Sequence, residues 1–229
     1  KFGAFITNTM MRNIIGQTKS AFDFGEVMQD GKILLMNLSK GLTGDINSKL
    51  LGMIIVSKLQ MAAMRRQTMA QEDRTDFYLY IDEFQNYVTD AIESILSEAR
   101  KYRLSLNIAH QYIGQLVEKQ DEKIKNAVFG NVGTKMCYKI GAQDAEYMAK
   151  EMAPVLSEQD VINVPNFNCY VKLNINNVTS RPFSMATLYD ESERNEKLGA
   201  LIKEYSRMKY GRKKVFVNQE IEDRIGIVG

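Results

Sequence analysis

The chain has 229 residues, 45% of them hydrophobic and 25% charged, which is enough for one sizeable globular core and too short for two full domains. Its formal charge of +2 excludes a global field for nucleic acid, so any DNA contact has to come from local patches. Cys137 and Cys169 are the only cysteines and His110 the only histidine, which excludes a disulfide framework or a zinc site and predicts reduced, buried thiols in a cytoplasmic protein. No apolar run approaches the roughly 20 residues that cross a bilayer, and the N-terminus lacks a signal-peptide pattern, so the chain is expected to be soluble. It begins at Lys1, within sequence that already reads as structured, and is therefore expected to be a fragment.

In chain order, Phe5, Ile6, Met10, Ile14 and Ile15 predict a short helix that Gly16 stops. Asp23, with Glu26 three residues on, predicts a capped helix start, and Asp30-Gly31 a turn. The continuously apolar centre of Lys32 to Leu38 then predicts a strand covered on both faces. Asp45 opens a long helix to about Met69 that is apolar nearly all round and so is expected to be packed inside something. Phe77 to Ile81 predict a buried strand. The amphipathic helix after it carries a cap at Asp90 with Glu93, and an inner face of Ile92, Ile95, Leu96 and Ala99.

"RLSLNIAHQ" predicts a third strand that ends in polar His110 and Gln111. A charged stretch, "EKQDEKIKN", precedes a predicted strand from Thr134 to Ile140 and a helix from Asp144 to Met152. "NCYVKLNINNVTSRPFSMATL" alternates around Asn176-Asn177 and predicts a hairpin. Strand and helix alternate through most of the chain, which argues for a layered α/β sheet. Past Leu188 a polar linker leads to a helix striped by Leu198, Leu201, Ile202, Tyr205 and Met208. From Arg194 to Lys214 there are eight Lys or Arg against two Glu, the one sharp charge bias in the protein. Two readings stand for it: a DNA or partner contact, and a solvated helix docked on the sheet.

Adjacent Asp82 and Glu83 end an apolar strand, and like charges beside a core call for a cation. Open α/β sheets bind ligands at the carboxyl edge, where a magnesium ion bridging nucleotide phosphates would need few protein carboxylates. In that arrangement Asp82 holds Mg2+, directly or through water, and Glu83 orients or deprotonates the water attacking the γ-phosphate of ATP, the Walker B pattern. The plainer reading is a strand end whose acids meet solvent or a helix N-terminus. A phosphate-binding loop with Gly-Lys-Ser/Thr is absent from this sequence: Gly31-Lys32 leads into a strand, and "GQTKS" and "GNVGT" are decoys.

Taken together and in order, "GKILLMNLSKG", the helix after it, "FYLYIDEFQNY", "ILSEARKYRLSLNIAHQY" and "NVGTKMCYKIGAQDAEYMAKEMAP" resemble the C-terminal half of the motor domain of type IV secretion coupling proteins. These are TraD/TraG-like members of the HerA/FtsK branch of RecA-like ATPases, and the similarity covers roughly residues 10 to 188. The resemblance implies part of a RecA-like three-layer P-loop NTPase sheet in residues 1–188, with a C-terminal hairpin, followed by a basic amphipathic tail in 189–229. It further implies a hexameric ring that uses ATP to move DNA during conjugation, working with secretion components, and in longer members an inner-membrane anchor.

On that pattern Asp82 and Glu83 take the Walker B roles, and Gln111 matches the polar sensor of the γ-phosphate or attacking water. Arg100 matches an arginine presented to the next subunit, with Arg103 close enough to contest the assignment. Without a phosphate loop the chain alone is expected to turn over no ATP. The alternatives are a non-catalytic RecA-like ring or docking module and an ATPase that moves protein.

Overall fold

The computed structural model describes residues 8–88, 90–117, 121–192 and 194–226. It divides into two compact units, residues 77–190 and a second formed by residues 1–76 with 191–229.

In the latter unit the chain enters through helix α1 (Thr9–Ile15), where Asn8 caps the end by accepting the Met11 amide at 3.1 Å. The residues before Asn8 in the expected Phe5–Ile15 helix lie outside the described residues. Helix α2 (Phe24–Gln29) starts as its sequence predicts, the Asp23 carboxylate accepting the amides of Gly25 and Glu26. It closes with the Lys32 amide donating to the Val27 carbonyl and that of Gly31 to Met28. That paired closure requires a left-handed residue, and Gly31 has φ +63°.

Two expectations fail in the next stretch. Lys32 to Leu38 forms no regular element and pairs with no strand among the described residues, and Ile33 and Leu35 are 88% and 84% exposed. An apolar run specifies that both faces want cover, but a strand exists only where a neighbour satisfies its amides and carbonyls. After the short helix α3 (Lys40–Thr43), helix α4 (Asp45–Arg65) ends in a 3-10 turn at Arg66–Thr68. Leu51, Val56, Leu59, Ala62 and Ala63 are buried on it, and it packs on α2. Ile46, Met61 and Met64 are exposed, so the helix expected to be enclosed all round is covered on only part of its surface.

In the unit of residues 77–190, β1 (Phe77–Ile81) runs parallel to β2 (Leu104–Ile108) with Phe77 opposite Leu104 and Ile81 opposite Ile108. Tyr78 and Tyr80 are exposed while Ile81 is buried, so β1 is covered on one face rather than two. Helix α5 (Asp90–Glu98) connects the strands, and Ile92, Ile95 and Ala99 are buried as their spacing predicts. The predicted Asp90–Glu93 cap lies outside the described side chains.

Helix α6 (Lys123–Asn131) follows, and part of the predicted charged stretch before it lies outside the described residues. Next come β3 (Lys135–Cys137), helix α7 (Ala142–Glu151), helix α8 (Glu158–Ile162) and β4 (Asn168–Lys172). The β5–β6 hairpin (Asn174–Ile175 and Val178–Thr179) and β7 (Phe183–Ala186) complete this unit. β3, expected from Thr134 to Ile140, is shorter and does not extend the parallel pair. It joins β4 and β7 in an antiparallel sheet of order β3-β4-β7. The expected hairpin turn is present: Asn176 and Asn177 have φ of 51° and 65°, the left-handed pair of a two-residue connection.

Against this sheet Cys137, Ala145, Met148, Met152, Val161 and Ile113 form a core cluster. Both cysteines are free and buried, and burial, with help from Cys169 and Asp144, pushes the Cys137 thiol up to about 11. Such a thiol is inert at neutral pH.

The tail, which belongs with residues 1–76, is two helices rather than one, α9 (Glu196–Tyr210) and α10 (Lys214–Ile225). The predicted stripe on α9 is uncovered, every residue from Leu198 to Met208 on it being exposed. Instead α10 docks, burying Val217 and Ile221 against α1. Arg12 reaches Glu222 at 3.7 Å and Thr18 donates to Glu220 at 2.9 Å. A Cβ on Gly16 would sit 2.9 Å from Ile221 Cδ1 and closer still to the Arg12 carbonyl oxygen. Gly16→Val is therefore expected to cost about 1–3 kcal/mol through overpacking. A thermal melt with an unchanged midpoint would show that α10 does not seat there.

Candidate functional site

The parallel pair continues past its last ladder residues. The Ala109 amide donates to the Ile81 carbonyl and the Phe84 amide to the Ala109 carbonyl, both at 3.0 Å. These bonds hold the two strand ends side by side as the chain leaves the sheet, and Asp82, Glu83 and Gln111 sit just beyond them. These three residues therefore lie together at the carboxyl edge, where open α/β sheets form ligand crevices.

Glu83 has φ +50°, a left-handed conformation that a non-glycine residue adopts at a cost of about 1–2 kcal/mol. Several contacts hold it there. Its carbonyl accepts the Asn86 amide at 3.0 Å and Asn86 Nδ2 at 3.1 Å. Its carboxylate accepts Gln85 Nε2 at 3.1 Å through one oxygen and Gln111 Nε2 through the other. Asp82 is exposed, and its Oδ1 accepts the Glu83 amide at 2.9 Å. Among the described residues neither acid forms an ion pair, and no group of three or more His, Cys, Asp or Glu could hold a metal.

A dedicated all-protein metal cage is thus absent among those residues. The exposed Asp82 carboxylate does fit a magnesium ion that keeps its waters and takes its other ligands from phosphates. Glu83, with both oxygens engaged by amides, fits an orienting or proton-accepting role better than a ligand role.

Phe84, fully buried, anchors the turn after the acids, with its ring edge-to-face to His110 at 5.9 Å. Burial holds the His110 pKa below its ordinary value, and Asp144 opposes that shift. Arg100 stands elsewhere. It is exposed on the 3-10 turn Ala99–Tyr102 that leads into β2, at the amino ends of the strands. A five-residue strand separates the two edges by about 13 Å, so the fold does not bring Arg100 to the acid pair of its own chain. Arg103 opens the ladder with its backbone: φ is +55° and its carbonyl accepts the Phe77 amide at 2.9 Å.

Sequence reasoning passed over Gln85, Asn86, Gln115 and Asp144. Gln85 and Asn86 carried a signal, being amides directly after the acid pair. Gln115 Oε1 accepts the amides of Gln111 and Tyr112, and Asp144 Oδ2 that of Ile113.

Residues 76–166 match the family described as the TraM recognition site of TraD and TraG. Over that stretch the chain is similar to that family. The matched stretch includes Asp82, Glu83, Arg100, Gln111 and Asp144. Among solved structures, the bacterial conjugative coupling protein TrwBdeltaN70, in its unbound monoclinic form, aligns at a TM-score of 0.54 and 14% identity. The alignment covers 66% of this chain and 38% of that one. The plasmid coupling protein TrwB in complex with the non-hydrolysable ATP analogue ADPNP aligns at 0.50 and 13% identity, with 66% and 38% coverage. The chain thus spans 38% of the length of these coupling proteins and shares their RecA-like α/β fold. Among curated proteins none matches its sequence.

Proposed function

We propose that this TraD/TraG-like chain is the C-terminal portion of an ATP-hydrolysing, DNA-translocating motor of the conjugative coupling type. The observation that carries the reading is the Gln111–Glu83 hydrogen bond at the carboxyl ends of two neighbouring parallel strands, with exposed Asp82 beside it. On this reading Asp82 holds Mg2+ at the nucleotide, and the ion supplies charge neutralisation for phosphates. Glu83 orients or deprotonates the attacking water. Gln111 holds the Glu83 carboxylate and senses the γ-phosphate.

The phosphate cradle would come from outside this sequence, and Arg100 would serve the neighbouring subunit's nucleotide across a hexameric ring. Its placement at the far end of the strands from its own acids supports action in trans. Because the family is described as a TraM recognition site, a partner of that kind is a further expectation. Among the described residues no helix is long and apolar enough to cross a membrane, and we place this part of the protein at the cytoplasmic face.

The test is magnesium-dependent ATP hydrolysis by the complete protein, with and without DNA. DNA binding that weakens steeply with salt favours a DNA track over a protein-moving motor, since phosphate contacts release counterions. A complete protein with no Gly-Lys-Ser/Thr loop and no turnover would leave a docking module instead. Arg100→Ala is expected to lower turnover by about 10³-fold. Mixed with Glu83→Gln subunits it should recover part of the activity, and no recovery in well-mixed rings would exclude the role in trans.

A further inference from the structure

Asp144 is one of three buried polar or charged residues among those described, with Ser48 and Arg66. Ser48 donates to the Leu38 carbonyl and Arg66 to that of Thr75, partners 10 and 9 residues away. Asp144 reaches further. Its Oδ2 accepts the Ile113 amide at 2.9 Å, a buried bond across 31 residues that ends two positions past Gln111.

The segment it grips has few other restraints on its backbone donors. Gln115 Oε1 accepts the amides of Gln111 and Tyr112 at 3.1 and 3.3 Å. Three consecutive amides, 111 to 113, are thus satisfied by two side chains rather than by a strand partner. Gln115 belongs to the segment itself and can move with it. Asp144 does not. It lies in the first turn of α7, whose other end is tied to the antiparallel sheet: Glu151 pairs with Lys135 of β3 at 2.7 Å, and its carbonyl accepts Lys172 of β4 at 2.6 Å. Ile113, Ala145 and Met148 share one core cluster, so the grip is made inside packed side chains.

We propose that Asp144 is a positioning residue for the reaction proposed above. By fixing the Ile113 amide to α7 it sets the height at which Gln111 meets the Glu83 carboxylate, and so couples the antiparallel sheet to the acid pair. The inference rests on the ATPase reading. Asn at this position keeps an oxygen acceptor, whereas Leu leaves the buried Ile113 amide unsatisfied.

In the complete protein, Asp144→Leu is expected to lower kcat for ATP by about tenfold or more, with KM for ATP within about threefold, while Asp144→Asn stays within about threefold of wild type. In a Gln111→Ala background, Asp144→Leu should cost no more than about a further twofold, because the residue it positions is gone. The same loss in both backgrounds would mean that Asp144 merely supports the fold, and would overturn the proposal.

Amide hydrogen exchange of the complete protein provides a readout that does not need turnover. Asp144→Leu should speed exchange at residues 111–113 by about tenfold or more and leave the Leu104–Ile108 ladder unchanged. Uniform change, or none, counts against the proposal. Wild-type turnover by Glu83→Gln would instead remove Glu83 from the chemistry, and no turnover by the complete protein would remove the ATPase reading; either removes this inference as well.

Discussion

Glu83→Gln is expected to abolish ATP hydrolysis by the complete protein, with a loss of about 10²–10⁴-fold if the carboxylate acts as general base. The substitution keeps the shape and one oxygen acceptor, so the bond from Gln111 or that from Gln85 can persist and the left-handed turn can stay closed. What disappears is the negative charge that, on the proposed reading, orients or accepts a proton from the attacking water. Nucleotide affinity is therefore expected to change by no more than a few-fold, about 1 kcal/mol or less, because the proposed reading assigns the phosphate contacts to other residues. The measurement is steady-state hydrolysis together with binding of a non-hydrolysable analogue. Wild-type turnover in the variant would remove Glu83 from the chemistry. Loss of binding in step with loss of turnover would point to a structural role for it.

Phe84→Ala is expected to destabilise the unit of residues 77–190 by about 3–5 kcal/mol, the cost of an emptied aromatic site in a packed core. Phe84 is completely buried and follows the acid pair directly, so its ring fixes the level at which Asp82 and Glu83 leave the sheet. Phe84→Leu refills part of the space and should cost less. Urea unfolding followed by circular dichroism checks both variants. A loss below about 1 kcal/mol for the alanine variant would show that the turn collapses onto the vacated volume, against the usual partial relaxation of cores.

The contrast between these two neighbours shows what can be read from a chain of letters. The acid pair, its strand and the strand leading to Gln111, which ends at Ile108, are visible because each is local: an apolar run sets the strand, and polar residues past its end set the edge. The Asp23 cap and the Asn176-Asn177 turn are visible for the same reason, since capping and left-handed turns are settled within a few residues. The expectation that Asp82, Glu83 and Gln111 meet needed one further step, the parallel pairing of two strands, and the register of Phe77 opposite Leu104 supplies it.

By itself, then, the sequence determined the α/β class, the elements bearing the candidate site, and the residue types at their ends. Only the tertiary structure decided which apolar surfaces find cover. Lys32–Leu38 asks for two-sided burial and has no ladder among the described residues, α4 is covered in part, and α10 rather than the striped α9 packs on α1. Tertiary structure alone also decided that Asp144 holds the Ile113 amide and that Arg100 stands at the opposite edge from the acids. The physical reason is range. Propensity, capping and turn chemistry are set by neighbours along the chain, whereas burial and long-range hydrogen bonds depend on which distant surface arrives, and hydrophobicity specifies only that one should.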